Sequence, residues 1–168
     1  MQKLLFLGLG LILTACTGIP DGVRPVAGFE LDRYLGTWYE IARLDHSFER
    51  GLSHVTAEYG LRDDGGVRVL NSGYDAAQKR RRSAEGKAYF IESPDIGRLK
   101  VSFFGPFYGA YNIIALDKTD YRYVMIAGNN TDYLWIMART PNLETTVLET
   151  LIGQAKALGF ATEDLIYP

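Results

Sequence analysis

The chain has 168 residues, which is long enough for one domain with a sizeable core. Its formal net charge is −2, and 23% of its residues are charged. This charge balance does not favour a nucleic-acid partner. The 18 glycines fit a protein with many turns, and the single cysteine excludes an internal disulfide.

The first fifteen residues are predicted to be a lipoprotein signal peptide. Lys3 supplies a positive charge, and Leu4 to Leu13 form an apolar run that is too short to span a bilayer. The run ends in Leu13-Thr14-Ala15-Cys16, which resembles the bacterial lipobox, in which the cysteine carries the lipid. A plain secretory signal that is cleaved further on is the alternative.

Cys16 is therefore the expected point of attachment to a membrane, and residues 16–28 the lipidated N-terminus and its tether. Thr17 stands where lipoproteins retained in the inner membrane carry Asp. The sequence thus favours an anchor in the outer membrane that faces the periplasm.

The folded part is predicted to begin with a helical segment, Phe29 to Tyr34, followed by a strand from Gly36 to Arg43. Strict alternation puts Trp38, Glu40 and Ala42 on one face of that strand and Tyr39, Ile41 and Arg43 on the other.

Four further strands alternate around turn signals such as Asp63-Asp64-Gly65-Gly66. Their predicted inner faces are Val55, Ala57, Tyr59 and Leu61; Val67, Val69, Asn71 and Gly73; Ala84, Gly86, Ala88 and Phe90; and Leu99, Val101 and Phe103.

Three later strands, near Ala110–Leu116, Tyr121–Gly128 and Tyr133–Arg139, are apolar on both faces and need an outer cover. The predicted cover is a helix that has Thr140 as its N-cap and ends at Gly159. Its apolar stripe contains Leu143, Val147, Leu148, Leu151, Ile152, Ala155 and Leu158. A last short strand is expected at Asp164–Tyr167.

Eight strands joined by short connections predict an all-β fold over residues 29–168. We expect an eight-stranded up-and-down antiparallel barrel with one C-terminal α-helix packed on its outside, because closure removes exposed strand edges. A β-sandwich is the alternative.

In such a barrel the start of the first strand, the turn between the sixth and seventh strands, and the end of the eighth lie at one end. These places carry Gly36 and Trp38, Thr119-Asp120-Tyr121, and Arg139. Together they resemble the three signatures of the lipocalins, closest to the bacterial outer-membrane lipoproteins of the subgroup that includes apolipoprotein D. The resemblance implies that Arg139 lies across the ring of Trp38, where a cation–π contact contributes about 0.5–2 kcal/mol.

The resemblance also implies a binding function, with a lysophospholipid or fatty acid held in the barrel for lipid storage or transport. The expected ligand-binding residues are Tyr59, Asn71, Phe90, Phe103, Trp135 and Met137. Neither a cofactor nor a metal is expected. A structural lipoprotein whose barrel is filled by side chains is the first alternative.

Loops at the open end are predicted to carry an apolar rim of Phe48, Phe104, Phe107 and Tyr108. Such a rim leaves the pairing of two barrels open. The run Lys79-Arg80-Arg81-Arg82, taken as part of a loop, is either solvated or attracts lipid phosphates.

An enzyme is the second alternative. The two histidines, His46 and His54, lack the spacing of a metal site, and no nucleophile motif is present. We therefore expect no catalytic residues; lipid turnover that Glu40→Gln abolishes without loss of binding would favour the enzyme.

Overall fold

The computed structural model describes residues 17–168, so the predicted lipid attachment point Cys16 lies outside the described residues. The predicted barrel is confirmed: eight antiparallel strands pair in chain order, and β8 pairs with β1 to close the sheet. The strands are β1 (Gly36–Arg43), β2 (Leu52–Leu61), β3 (Val67–Asp75), β4 (Arg80–Phe90), β5 (Arg98–Phe104), β6 (Phe107–Leu116), β7 (Tyr123–Ala127) and β8 (Leu134–Ala138).

In the described part of the chain two α-helices accompany the barrel, a single turn α1 (Leu31–Tyr34) before β1 and the longer α2 (Thr145–Ala157) after β8. Within residues 17–168, no helix has the length and apolar character needed to cross a membrane.

Two apolar clusters lie on opposite sides of the barrel wall, as expected from the strands that are apolar on both faces. One fills the closed end of the interior and includes Trp38, Tyr59 and Met137. The other lies under α2 and includes Met125, Ile136 and Leu151. The predicted apolar stripe packs in this second cluster.

The start of α2 differs from the prediction. Thr140 is not its N-cap, because the Thr140 hydroxyl donates to the Asn142 carbonyl oxygen at 2.7 Å and closes a local turn. The helix begins at Thr145, where the Glu144 carbonyl accepts the first bonds. Its end is as predicted, with Gly159 at a φ of +86°.

The predicted last strand is reduced to one bridge, in which Ile166 exchanges two backbone hydrogen bonds with Arg43. A 3-10 helix, Thr162–Asp164, precedes that segment and ends at its first residue. Leu61, predicted to face inward, is 62% exposed at the end of β2.

A bulge in β1 changes the direction of its last side chains. The pairing with β8 shifts register between Glu40 and Ala42. Ala42 consequently packs in the cluster under α2, whereas Arg43 is 1% exposed and pairs with Glu40. The predicted alternation was therefore wrong for Ala42 and Arg43, because a bulge inserts one residue into the two-residue period.

Gly36, Trp38, Tyr121 and Arg139 meet at the closed end. The Arg139 guanidinium lies 4.0 Å from the centre of the Trp38 ring. It donates to the carbonyls of Arg33, Thr37 and Tyr121. Gly36 has a φ of +91°, which glycine adopts without strain.

The turn between β6 and β7 joins this closure. The Thr119 carbonyl accepts from Arg33, and the Tyr121 hydroxyl accepts from the Glu30 backbone N–H at 3.0 Å. Asp120 is exposed, and its backbone N–H donates to Asp117.

The segment before α1 lies along the barrel. The buried Asn112 side chain donates to the Gly18 carbonyl, Val23 is buried against the α2 cluster, and Val26 bonds to the backbone of Ile113 and Gly97. Residues 17–168 thus contain the closed barrel, its helical cover and both clusters, and are expected to fold without the first sixteen residues.

Candidate functional site

The inward-facing residues divide the barrel interior into two parts. We call the closed end, with Tyr34, Trp38, Tyr59 and Tyr111, the base. The part nearer the open end, where the inward residues Asn71, Phe103 and Trp135 are half-buried, is the mouth half.

The base is closed by a chain of tyrosine hydroxyls. The Tyr111 hydroxyl lies 2.6 Å from that of Tyr34 and 2.7 Å from that of Tyr59. Burial raises the pKa of Tyr59 to about 12, and raises those of Tyr34 and Tyr111 as well. All three hydroxyls are therefore neutral hydrogen-bonding groups at physiological pH.

Little space is left at the base. The void lined by Tyr34, Tyr59, Val69 and Tyr111 measures about 10 Å³, enough for one water molecule. An acyl chain therefore has no room there without rearrangement of the tyrosines.

This closure separates the six predicted ligand-binding residues. The Tyr59 hydroxyl is hydrogen-bonded to the Tyr111 hydroxyl, and Met137 is buried in the same apolar cluster as Tyr59. Phe90 packs on Phe29 of the segment before α1, with ring centres 6.0 Å apart. Only Asn71, Phe103 and Trp135 are left in the mouth half.

A buried ionic cluster borders the mouth half beside Trp135. The Arg43 guanidinium donates to Glu40 Oε1 at 2.5 Å and to the carbonyls of Glu49 and Leu52. Trp135 Nε1 donates to Glu49 Oε2 at 3.0 Å, and His46 Nε2 lies 3.0 Å from the same oxygen. The cluster thus fastens the loop between β1 and β2 to the barrel wall.

The two carboxyl groups of this cluster have opposite pKa shifts. Burial, together with the nearby charge of Glu49, raises the pKa of Glu40 to about 7, although Arg43 opposes the shift. Burial also acts to raise the pKa of Glu49, but the close contact with His46 and the hydrogen bond from Trp135 outweigh it and hold that pKa below its ordinary value. Glu49 therefore carries the negative charge, and Glu40 titrates near neutrality.

The sequence did not predict that Arg43, His46 and Glu49 form a buried cluster. Glu49 belongs to the segment Glu49-Arg50-Gly51 and Tyr111 to Tyr111-Asn112, two stretches that also look like the bacterial lipocalins. That likeness was the available signal for them. The inward turn of Arg43 follows from the β1 bulge, which no residue in the sequence marks.

The rim of the open end is aromatic. Phe48 is 59% exposed and stacks on His46 at 3.9 Å between ring centres. Phe104 and Phe107 are exposed at the tip of the β5–β6 hairpin. Tyr108, predicted to join this rim, instead contacts Tyr89 and Lys100 on the outer face of the sheet.

The basic run differs from the prediction in its secondary structure. Only Lys79 lies in the turn, at a φ of +51°, whereas Arg80, Arg81 and Arg82 open β4. A strand directs alternate side chains to opposite faces, so these arginines do not act as one solvated patch.

The described residues show no metal centre: between residues 17 and 168, no three or more His, Cys, Asp or Glu side chains are grouped to hold a metal ion. His54 is exposed and lies apart from the buried His46.

Comparison with known proteins gives a consistent result. A family model described as a lipocalin-like domain matches residues 29–168. The outer membrane lipoprotein Blc of Vibrio cholerae is 52% identical over 167 residues, which cover 99% of this chain and 98% of that protein. The protein of the same name from Escherichia coli K12 is 50% identical over 158 residues, covering 93% and 89%.

Solved structures agree on the fold. Insecticyanin from the tobacco hornworm Manduca sexta superposes with a TM-score of 0.69 at 22% identity, covering 90% of this chain and 86% of that chain.

Proposed function

The chain belongs to the lipocalin-like family, and we propose that it binds one lysophospholipid or fatty acid in the mouth half of its barrel. Lipocalins are in general binding proteins, and this protein is located at the outer membrane, like the relatives that are 50–52% identical to it. The proposed role is storage or transport of lipids there, with the protein facing the periplasm and anchored through a lipid on Cys16.

The observation that carries the proposal is the contrast in burial along the interior. Tyr59, Val67 and Val69 are buried at the base, whereas Phe103 and Trp135 face the same interior and remain half-exposed. Inward-facing aromatic surface that water can reach is the surface an acyl chain would cover, at about 0.8 kcal/mol for each buried methylene.

No catalytic step is part of this proposal. Glu40, the carboxyl group whose substitution tests the enzyme alternative, is paired with Arg43 and buried. A structural lipoprotein with a filled barrel is the second candidate, favoured by the closed base with its void of about 10 Å³.

Calorimetry on residues 17–168, stripped of lipid, tests the proposal. Oleic acid and an oleoyl lysophospholipid are each titrated into the wild type. We expect saturable binding of at least one of them at one molecule per barrel. A folded protein that binds neither would contradict the proposal and favour the filled barrel.

Two adjacent phenylalanines supply a matched pair of variants. Phe103 faces the interior, whereas Phe104 is 81% exposed at the hairpin tip. Phe103→Ala should weaken binding about tenfold because it removes apolar contact with the acyl chain, and Phe104→Ala should weaken it less than about threefold. Equal losses would locate the lipid outside the barrel.

A further inference from the structure

The arginines of β4 divide between the two faces of the barrel wall. The register of β4 with β3 is unbroken from Val67↔Ala88 to Asp75↔Arg80. Ala88 is buried in the interior cluster. Counting back in steps of two, Ala84, Arg82 and Arg80 lie on this interior face, and Arg81 lies on the outer face.

Arg82 is placed where the interior opens to solvent. Its side chain is 50% exposed, and Ala84, the next residue on the same face, is exposed as well. Among residues 17–168 its ion-pair partner is Asp75, with Nη1 and Oδ2 3.4 Å apart. This is a long contact, and Asp75 also accepts from the Gln78 backbone N–H at 3.0 Å.

A buried acceptor without a partner lies one step deeper. Asn71 pairs with Ala84 and is a diagonal neighbour of Arg82 across the two strands. Its Oδ1 is buried and has no hydrogen-bond partner within the described part of the chain. Buried polar atoms normally have partners, so this oxygen suits a hydroxyl that a ligand would bring.

The order of groups from the opening inward is a cation, an unpaired acceptor and apolar surface. A lysophospholipid presents the complementary order of phosphate, glycerol hydroxyl and acyl chain. The closed base limits how much of that chain is buried, which makes contacts with the headgroup important for affinity.

We propose that Arg82, assisted by Arg80, binds the phosphate of an amphiphilic lipid whose acyl chain occupies the mouth half. This rests on the proposed function and specifies its ligand as a phosphate-bearing one. An arginine guanidinium suits the task because it donates two parallel hydrogen bonds to phosphate oxygens. Arg80 contributes less, because its Nε already donates to Gln78 Oε1 at 2.8 Å.

The test compares two lipids with one acyl chain, oleoyl lysophosphatidylglycerol and the uncharged monooleoylglycerol. Both are titrated by calorimetry into residues 17–168 as wild type, Arg82→Gln and Arg81→Gln. The last variant removes the same charge from the same strand, on the outer face.

We expect Arg82→Gln to weaken lysophosphatidylglycerol about tenfold, the loss of a charge-assisted bond pair, and to leave monooleoylglycerol within about twofold. Arg81→Gln should leave both lipids within about twofold, and Arg82→Lys should recover part of the loss.

Equal weakening of lysophosphatidylglycerol by Arg82→Gln and Arg81→Gln would overturn the inference, since general attraction to anionic lipid surfaces would then explain the basic run. An unchanged affinity in Arg82→Gln, or equal weakening of both lipids, would overturn it too while leaving the proposed function standing. Binding of neither lipid by the wild type would instead contradict the proposed function itself.

Discussion

The base and the mouth half of the barrel each contain a tryptophan, and the two side chains differ in burial and in their hydrogen-bond partners. At the base, Trp38 is fully buried, donates to the Tyr34 carbonyl at 2.8 Å and is covered by Arg139. In the mouth half, Trp135 is half-buried and donates to a carboxylate on a loop. The Trp38 ring is enclosed by the groups it contacts, whereas the Trp135 ring is partly exposed.

This difference indicates which residues stabilise the fold and which are available to bind a ligand. Groups at the base have their partners within the barrel, so a substitution there is expected to change the free energy of unfolding. Phe103 and Trp135 leave apolar surface exposed to water, and Asn71 Oδ1 has no hydrogen-bond partner among residues 17–168. Substitutions in the mouth half are therefore expected to change lipid affinity more than folding.

The largest expected effect is on Trp38. Trp38→Ala removes a fully buried ring and its contact with Arg139, so we expect a loss of about 3–5 kcal/mol in the free energy of unfolding, measured with urea. Phe107→Ala, at a residue 69% exposed on the rim, is the control and should change it by less than about 0.5 kcal/mol. Comparable losses in the two variants would remove the distinction between base and mouth.

Glu40, beside the mouth half, is expected to make stability depend on pH. Its pKa is about 7 in the folded protein against an ordinary value of 4.5, so its proton stabilises the fold fully below 4.5 and the stabilisation is lost as the pH rises through 7. The stability of the wild type relative to Glu40→Gln should therefore fall by about 3 kcal/mol between about pH 4 and pH 8.

Urea unfolding of both proteins across that range measures the difference. A difference that increased with pH would mean that Glu40 is held as a carboxylate by Arg43, contrary to the cluster described above.

A smaller effect is expected for Arg139→Lys. Lysine keeps the charge but cannot cover the Trp38 ring while donating to the carbonyls of Arg33, Thr37 and Tyr121. We expect a loss of about 1–2 kcal/mol in thermal or urea unfolding. Arg81→Lys, on the outer face of β4, is the matched control and should have no measurable effect.

The smallest effect is expected for Tyr111→Phe, which removes the hydroxyl between Tyr34 and Tyr59. Stability should fall by about 1 kcal/mol, the value of a typical buried hydrogen bond. Lipid affinity should stay unchanged, because the base holds no lipid. A marked change in calorimetric affinity would extend the binding site down to the tyrosines.

The sequence was a good guide wherever a regular period or a local pattern decides the structure. Trp135 and Met137 face the interior as their two-residue period predicted, and the stripe on α2 covers the strands that needed a cover. The short connections of an up-and-down barrel placed Gly36, Tyr121 and Arg139 at one end, and the resemblance to the lipocalins implied the contact between Arg139 and Trp38.

The errors arose where a tertiary contact overrides the local pattern. The bulge after Glu40 turns Arg43 inward, since the pairing with β8 and the buried carboxylate outweigh strict alternation. The arginines after Lys79 suggested a loop by their charge, but pairing with β3 makes them strand residues. Tyr34 and Tyr111 are 77 residues apart and are brought together by the tertiary structure, so no spacing in the sequence links them.

The most direct test uses the two tryptophans of the chain as separate reporters. A lysophospholipid with a brominated acyl chain, which quenches tryptophan at short range, is titrated into Trp38→Phe and Trp135→Phe after each is shown to be folded. We expect saturable quenching of Trp135 in the first variant and little quenching of Trp38 in the second. Strong quenching of Trp38, or none of Trp135 while the lipid binds, would contradict binding in the mouth half.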